Sequence, residues 1–331
     1  VNATALLRIE DLCVDFATGH GWVNVVDGVS LHVGAGEIVG LVGESGSGKS
    51  VTSLSVLGLI PRGQGRVSRG HIWYGDRDLT TLPVHELRGI RGNEVSMIFQ
   101  EPMTSLNPAF TIGDQIAEVH RRHRGGKRAA ALARAAEMLD LVGIPNAHER
   151  VRDYPHEFSG GMRQRAMIAM ALICGPRLLI ADEPTTALDV TVQAQIIELL
   201  AKLRDETGCG IVFITHDLGV VAELCDRVVV MYAGQVVESA AGRELFLRPR
   251  HPYTEGLLAA MPQLGERGTE LPFIPGRPPE PWRQPDGCRF NPRCRYTVDH
   301  CRGGVVPAIR SGGDHASRCL RTDELELLGA P

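Results

Sequence analysis

The chain has 331 residues, 43% hydrophobic and 22% charged, with a formal net charge of −4. Such a length exceeds what one core usually fills and implies a large domain with a smaller one, or two of moderate size. The charge balance lends no support to a nucleic-acid partner. The longest apolar run, AMIAMALIC at 166 to 174, is far short of the roughly 20 residues that cross a bilayer.

The opening VNATALLRIEDLCVDF has no basic region followed by an apolar stretch, so no secretion signal is expected and a cytosolic location is. In that compartment the eight cysteines are expected as buried thiols or metal ligands rather than disulfides. Of 35 basic residues only Lys49, Lys127 and Lys202 are lysine.

In chain order, LLRIEDLCVDF and VNVVDGVSLHV alternate apolar and polar residues around a Gly-rich turn at Gly19 to Gly21, which predicts two antiparallel strands. EIVGLVGESGSGKSVTSLSVLGLI then runs from an apolar strand through glycines into a helical pattern, the order of a parallel-sheet nucleotide fold. Residues 112 to 173 read as mostly helical, with Leu132, Ala136, Leu139 and Val142 on one face. RLLIADEP and GIVFITHD are apolar strands ending in polar or acidic residues. Composition changes near 246. LPFIPGRPPEPWRQP, 271 to 285, carries six prolines in fifteen residues and predicts an extended arm. A cysteine-rich tail follows.

GESGSGKS, 43 to 50, fits the phosphate-loop pattern G-x-x-x-x-G-K-[ST] between a strand and a helix. Its glycines let backbone N–H groups curl around phosphates at a helix N-terminus. Lys49 is placed to reach the β and γ phosphates and Ser50 to bind Mg²⁺. In LLIADEP, Asp182 falls at a strand's carboxyl end, where it would hold Mg²⁺, and Glu183 would polarise the attacking water as general base. In FSGGMRQR, Ser159, Gly160 and Gly161 precede a helix expected to begin near Met162, a second anion-binding helix N-terminus.

SGGMRQR followed by an apolar helix, ADEPTTALD and ITHD resembles the ATPase subunits of ABC transporters over residues 1 to about 245. The family's order of motifs is present: the phosphate loop, Gln100, the signature at 159 to 163, the carboxylates with Glu183, and His216. The resemblance implies an α/β P-loop NTPase (RecA-like) core with an antiparallel β-subdomain and an inserted helical subdomain at about 101 to 173. It also implies that ATP is bound by Gly43, Glu44, Ser45, Gly46, Ser47, Gly48, Lys49, Ser50 and Val51. Phe16, or alternatively Trp22, would stack on adenine, and Mg²⁺ would be held through Ser50, Gln100 and Asp182. Glu183, His216 and Gln100 would serve hydrolysis. Ser159, Gly160, Gly161 and Met162 would face the nucleotide of a partner subunit packed head to tail, and TALD, with Asp189, matches the family's D-loop.

QEPMTSLNP, RPRHPYTEGLL and IPGRPPE leading into CRFNPRC are similar to the ATPases of dipeptide and oligopeptide importers across essentially the whole chain. That implies a small Pro- and Cys-rich C-terminal domain over 246 to 331. It implies two integral membrane permease subunits, a second ATPase (a copy or a paralogue) and an extracytoplasmic binding protein as partners, and a place on the cytoplasmic face of the membrane. Glu101 to Phe110 would face the membrane subunit. Related importers carry nickel chelates, oligosaccharides, haem or glutathione, and a soluble ABC ATPase acting on DNA or ribosomes is the competing class.

Cys288, Cys294, Cys301 and Cys319 contain no close C-x2-4-C pair of the zinc kind. The spacing alone leaves zinc, iron and no metal open; the importer resemblance implies a [4Fe-4S] cluster, with His300 and His315 as nearby substitutes. HPYT has no assigned chemistry. Cys13, Cys174, Cys209 and Cys225 sit singly among apolar residues and are expected in the core.

Overall fold

A computed structural model describes residues 5–100, 105–185, 188–261, 273–307, 309–310 and 315–330. Its strands are β1 (Leu7–Thr18), β2 (Gly21–Val33), β3 (Ile38–Val42), β4 (Gly65–Tyr74), β5 (Arg77–Asp78), β6 (Val95–Ile98), β7 (Leu178–Asp182), β8 (Gly210–Ile214), β9 (Arg227–Tyr232), β10 (Gln235–Ala241), β11 (Ile309–Arg310) and β12 (Ala316–Ser317). The helices used below are α1 (Lys49–Val56), α2 (Val84–Ile90), α3 (Ile112–Arg124), α4 (Arg128–Leu141), α5 (Ala147–Arg150), α6 (Gly160–Leu172), α7 (Val190–Thr207), α8 (Leu218–Leu224), α9 (Gly242–Leu247) and α10 (Pro252–Ala259). Contacts group the chain into two compact units, neither continuous: Val1–Leu6, Val33–Glu37 and Thr81–Ile214 form one, and Leu7–His32, Ile38–Thr80 and Thr215–Pro331 the other.

In the first unit β6, β7 and β8 lie side by side and parallel, Val95 opposite Leu178 and Asp182 opposite Ile214. All three are buried along their length, which is why β7 and β8 read as apolar runs rather than alternating ones. The predicted helical middle is α3 to α6. Of the expected face, Ala136, Leu139 and Val142 are buried and Leu132 stands at the edge, while Ala131, Ala135 and Met138 of α4 are buried beside them. Small alanines allow the closer approach of neighbouring helices. The α6 helix begins at Gly160, two residues earlier than expected, because the Ser159 hydroxyl accepts the Met162 N–H and caps it.

The second unit holds two sheets. β2, β1, β4 and β5 are neighbours in that order, β1 and β4 antiparallel with a register shift between Glu10 and Val14. β11, β12, β10, β9 and β3 follow one another in the other, with β3 and β9 parallel and β9, β10, β12 and β11 antiparallel. The tail thus adds strands to a sheet edge, Glu238 opposite Ser317. Between 273 and 298 no helix or strand is formed, as six prolines in 271 to 285 would have it. Cys13, Cys174, Cys209 and Cys225 are all buried, and burial pushes the Cys209 and Cys225 thiols up to about 12.

Candidate nucleotide site and cysteine cavity

The phosphate loop is shaped by its glycines. Gly43 has φ 146°, Gly46 φ 77° and Gly48 φ 102°, a backbone that L side chains rarely adopt. At Gly43 a Cβ would stand 2.1 Å from the Met231 carbonyl oxygen, so no larger residue fits. Gly48 caps α1 with no side chain in the way, leaving the helix's first N–H groups open to an anion. Lys49 is buried and folds over the loop, its Nζ donating to the carbonyls of Gly43 (2.7 Å) and Glu44 (3.0 Å) and to Ser47 Oγ (3.4 Å). Ser45 and Gly46 are exposed, Ser50 and Val51 half-buried. A polyphosphate entering this cradle meets backbone donors and a pre-placed ammonium, so the residues present fit the group.

In the first unit Asp182 closes β7 at 4% exposure. Glu183 follows in a left-handed conformation (φ 47°), its N–H donating to the carbonyl of Ile214 at the end of β8. Strain of this kind in a non-glycine residue costs about 1 to 3 kcal/mol and collects at working sites. Gln100 Nε2 donates to Glu183 Oε2 at 3.0 Å, so two residues 83 apart in sequence meet at one point. A buried bond from Gln164 Nε2 to the Pro184 carbonyl (2.7 Å) fixes the segment beyond Glu183 onto α6.

The signature residues form an exposed helix start: Ser159 and Gly160 are exposed, Gly161 and Met162 half-buried. No atom lies within 4 Å of where a Gly160 Cβ would be, and Val192 at 3.5 Å is the nearest to one on Gly161. Asp189 caps α7, accepting from the Val192 N–H at 2.9 Å. Thr186 and Ala187 of the D-loop motif and residues 101 to 104 of the stretch expected to face the membrane subunit lie outside the described residues; Phe110 in that stretch is 55% exposed.

The second unit holds His216 in an exposed turn after the buried Thr215. Phe16 is half-buried, and a Cβ on the facing Gly65 would lie 2.9 Å from its ring. Trp22 is 49% exposed beneath the Arg66 guanidinium, 4.3 Å from the ring centre.

Cys288, Cys294, Cys301 and Cys319 all line one cavity, together with His251, Phe290, Asn291 and Tyr296. The loop is closed by the Cys288 N–H donating to the Cys301 carbonyl at 2.9 Å. Gly287 (φ 73°) is required there, since a Cβ would stand 2.4 Å from that same oxygen. Burial raises the Cys288 thiol, and burial reinforced by the neighbouring thiols pushes Cys294 up to about 11 and Cys319 up to about 12. No three His, Cys, Asp or Glu side chains among the described residues are arranged to hold a single metal ion. The substitute ligands are corrected: His300 is exposed and lines no part of the cavity, and His315 is occupied elsewhere, its Nε2 2.8 Å from the buried Glu238 carboxylate. Ala316 and Ser317 pair with Ser239 and Glu238 of β10, which sets the adjoining His315 beside Glu238 rather than among the thiols.

Two residues were not found by sequence. Tyr253 of HPYT accepts the Glu44 N–H on its hydroxyl (2.8 Å), and Arg293 grips the Glu44 carboxylate with both terminal nitrogens (2.8 and 3.0 Å). Neither carries a local signal, because each partner is more than 200 residues away.

A phosphate loop with its lysine in place, a strand ending in Asp182 and Glu183, Gln100 on Glu183, and a capped SGG helix start define an ABC-type ATPase. The comparisons agree. Residues 26–186 match the family described as ABC transporter, and residues 237–301 that described as oligopeptide/dipeptide transporter, C-terminal region. A peptide import ATP-binding protein of Brucella abortus is 53% identical over 97% of this chain and 98% of its own. The oligopeptide transport ATP-binding protein AppD of Bacillus subtilis is 50% identical over 97% and 98%. The dimeric ATP-binding cassette MJ0796, in a post-hydrolysis state bound to ADP and Pi, matches with a TM-score of 0.65 at 27% identity, covering 72% of this chain and 99% of that one. The chain therefore belongs to the ABC transporter ATPases, and within them to the family of peptide import ATP-binding proteins. It is an ATP-hydrolysing protein, and no helix among the described residues is long and apolar enough to cross a membrane.

Proposed function

We propose that this chain powers the import of dipeptides or oligopeptides, and that residues 1 to 245 supply the ATPase and 246 to 331 the importer-type extension. The observation that carries the reading is the coincidence, in one chain, of the ATPase and the oligopeptide-type C-terminal region with relatives matched end to end. Glu183, oriented by Gln100, takes the proton of the attacking water; Lys49 and the loop N–H groups hold the β and γ phosphates. Ser50, Gln100 and Asp182 would hold Mg²⁺, which when bound would supply positive charge to the phosphates. Ser159 to Met162 complete the site of a second ATPase packed head to tail, and His216 senses the γ-phosphate. Two permeases and an external binding protein complete the assembly, on the cytoplasmic face. Gripping of the nucleotide from both sides favours the closed pair, and hydrolysis releases it. Co-expression with its permeases in liposomes carrying the binding protein tests this. Peptide-stimulated ATP hydrolysis and uptake support it; stimulation only by a nickel chelate, haem, glutathione or an oligosaccharide moves the cargo, and co-sedimentation with ribosomes or DNA in place of permeases overturns it.

The cysteine cavity is proposed to hold a [4Fe-4S] cluster. Four thiols facing one space are the donor set a cluster requires, and a cluster spaces its ligands further apart than one zinc ion does. Iron and acid-labile sulfide near four per chain after anaerobic purification support it; stoichiometric zinc, or neither metal, refutes it.

A further inference from the structure

Glu44 is an acid inside a loop built to hold a polyanion, the second residue of GESGSGKS. A free carboxylate there would repel the phosphates. Both of its oxygens are instead taken by Arg293 (2.8 and 3.0 Å), and its N–H is taken by Tyr253 Oη (2.8 Å). Its carbonyl is one of the two on which Lys49 Nζ rests, at 3.0 Å beside Gly43 at 2.7 Å, so where Glu44 stands helps to set where the phosphate-binding ammonium stands.

The clamp is not a loose surface pair. The Arg293 side chain is 5% exposed, and its remaining donors are spent on the carbonyls of Pro275 (2.9 Å) and Ile274 (3.3 Å) and on Tyr232 Oη (3.3 Å). Tyr253 is fully buried, its ring 4.7 Å from that of Tyr232 and 5.4 Å from that of Phe290. Such a planar fork, satisfied on every side, fixes an acid in one place, which a lysine could not do.

We propose that Arg293 and Tyr253 are positioning residues for ATP binding: the C-terminal extension neutralises Glu44 and holds it, and with it the phosphate loop, in the conformation that accepts nucleotide. Neither touches the reacting atoms. An ion pair that merely tied down the tail would have no bearing on the charge that an incoming triphosphate meets.

The test is a double-mutant cycle on the full-length chain, reading ATP affinity by displacement of a fluorescent ATP analogue at low and high salt. Arg293→Met leaves Glu44 uncompensated and is expected to weaken ATP about tenfold, less at high salt because Glu44 is partly solvated. Glu44→Gln alone is expected to tighten binding about two- to threefold, since Arg293 then faces the phosphates unopposed. The double variant is expected to return to within about threefold of wild type. Tyr253→Phe is expected to weaken ATP a few-fold with no rescue by Glu44→Gln, because it acts on the backbone N–H. A double variant as weak as Arg293→Met, or an Arg293→Met chain binding like wild type, overturns the proposal. Should Arg293→Met fail to fold, Arg293→Lys decides by the same cycle: charge without the fork is expected to lose about threefold and to be rescued by Glu44→Gln.

Discussion

Acid should weaken the second unit through one buried imidazole. His251 is 1% exposed and occupies the N-cap of α10, its Nδ1 accepting the Tyr253 N–H at 3.1 Å. Burial holds its pKa down to about 3, aided by the charge of Arg318 and opposed by a hydrogen bond to the Arg318 backbone. The folded pKa lies below the unfolded value of about 6.5, so the unfolded chain takes up the proton first. The stability that neutral His251 contributes is therefore intact above about pH 6.5 and is lost progressively as pH falls toward 3. At about 1.4 kcal/mol per unit, roughly 3 kcal/mol is gone by pH 4.5 and about 5 kcal/mol below pH 3. Urea unfolding followed by circular dichroism between about pH 7.5 and 4.5 measures the slope. His251→Asn is the control: asparagine is a favoured N-cap that can accept the same N–H but does not titrate. The variant should lose about one proton's worth of pH slope relative to wild type. Parallel slopes would show that folded His251 takes up its proton at the same pH as the unfolded chain does, and would sink the reasoning.

Glu183→Gln should keep ATP binding and lower turnover in the assembled complex by a factor of 10² to 10⁴, roughly the usual share of a general base; undiminished hydrolysis removes Glu183 from that role. Cys209 and Cys225, with thiols near 12, have about one thiolate in ten thousand at pH 8. Mass spectrometry after brief iodoacetamide treatment should therefore find them unlabelled in native protein and labelled in urea, and native labelling at the urea rate contradicts the burial. Gly287→Ala puts a Cβ 2.4 Å from the Cys301 carbonyl at φ 73°, which should cost about 2 to 3 kcal/mol and reduce iron content after anaerobic purification; iron retained at wild-type levels would detach the Gly287 turn from the proposed cluster.

What was readable in the sequence is what local backbone chemistry dictates. Gly43, Gly46 and Gly48 announce a left-handed loop because only glycine adopts those angles cheaply, and the unbroken apolar runs of β7 and β8 announce a sheet buried on both faces. The meeting of Gln100 with Glu183 was expected only through the family's motifs. The tail was legible as proline-rich and irregular, and there the sequence signal ended. Its anchors are long-range: Arg289 reaches Asp27 at 2.6 Å across 262 residues, Arg293 reaches Glu44 across 249, and β12 pairs with β10. No window of sequence contains both halves of such a contact. The scarcity of lysine was visible without its reason. Arg289, Arg293 and Arg318 each reach two or more partners, among them the carbonyls of Ala233, Pro275 and Val306, and Arg293 uses all five donors of its fork.

The order of synthesis gives the Arg293 clamp a further meaning. The phosphate loop leaves the ribosome 249 residues before the arginine that pairs with Glu44. At about 5 to 20 residues per second that is an interval on the order of 10 to 50 seconds, during which the nascent chain displays a nucleotide loop with its acid unanswered. A polypeptide cut short ahead of Arg293 would still carry the phosphate loop, Gln100, the signature, Glu183 and His216, yet its loop would lack the brace. A polypeptide lacking that arginine is expected, on the clamp proposed above, to bind ATP about tenfold more weakly than the braced chain.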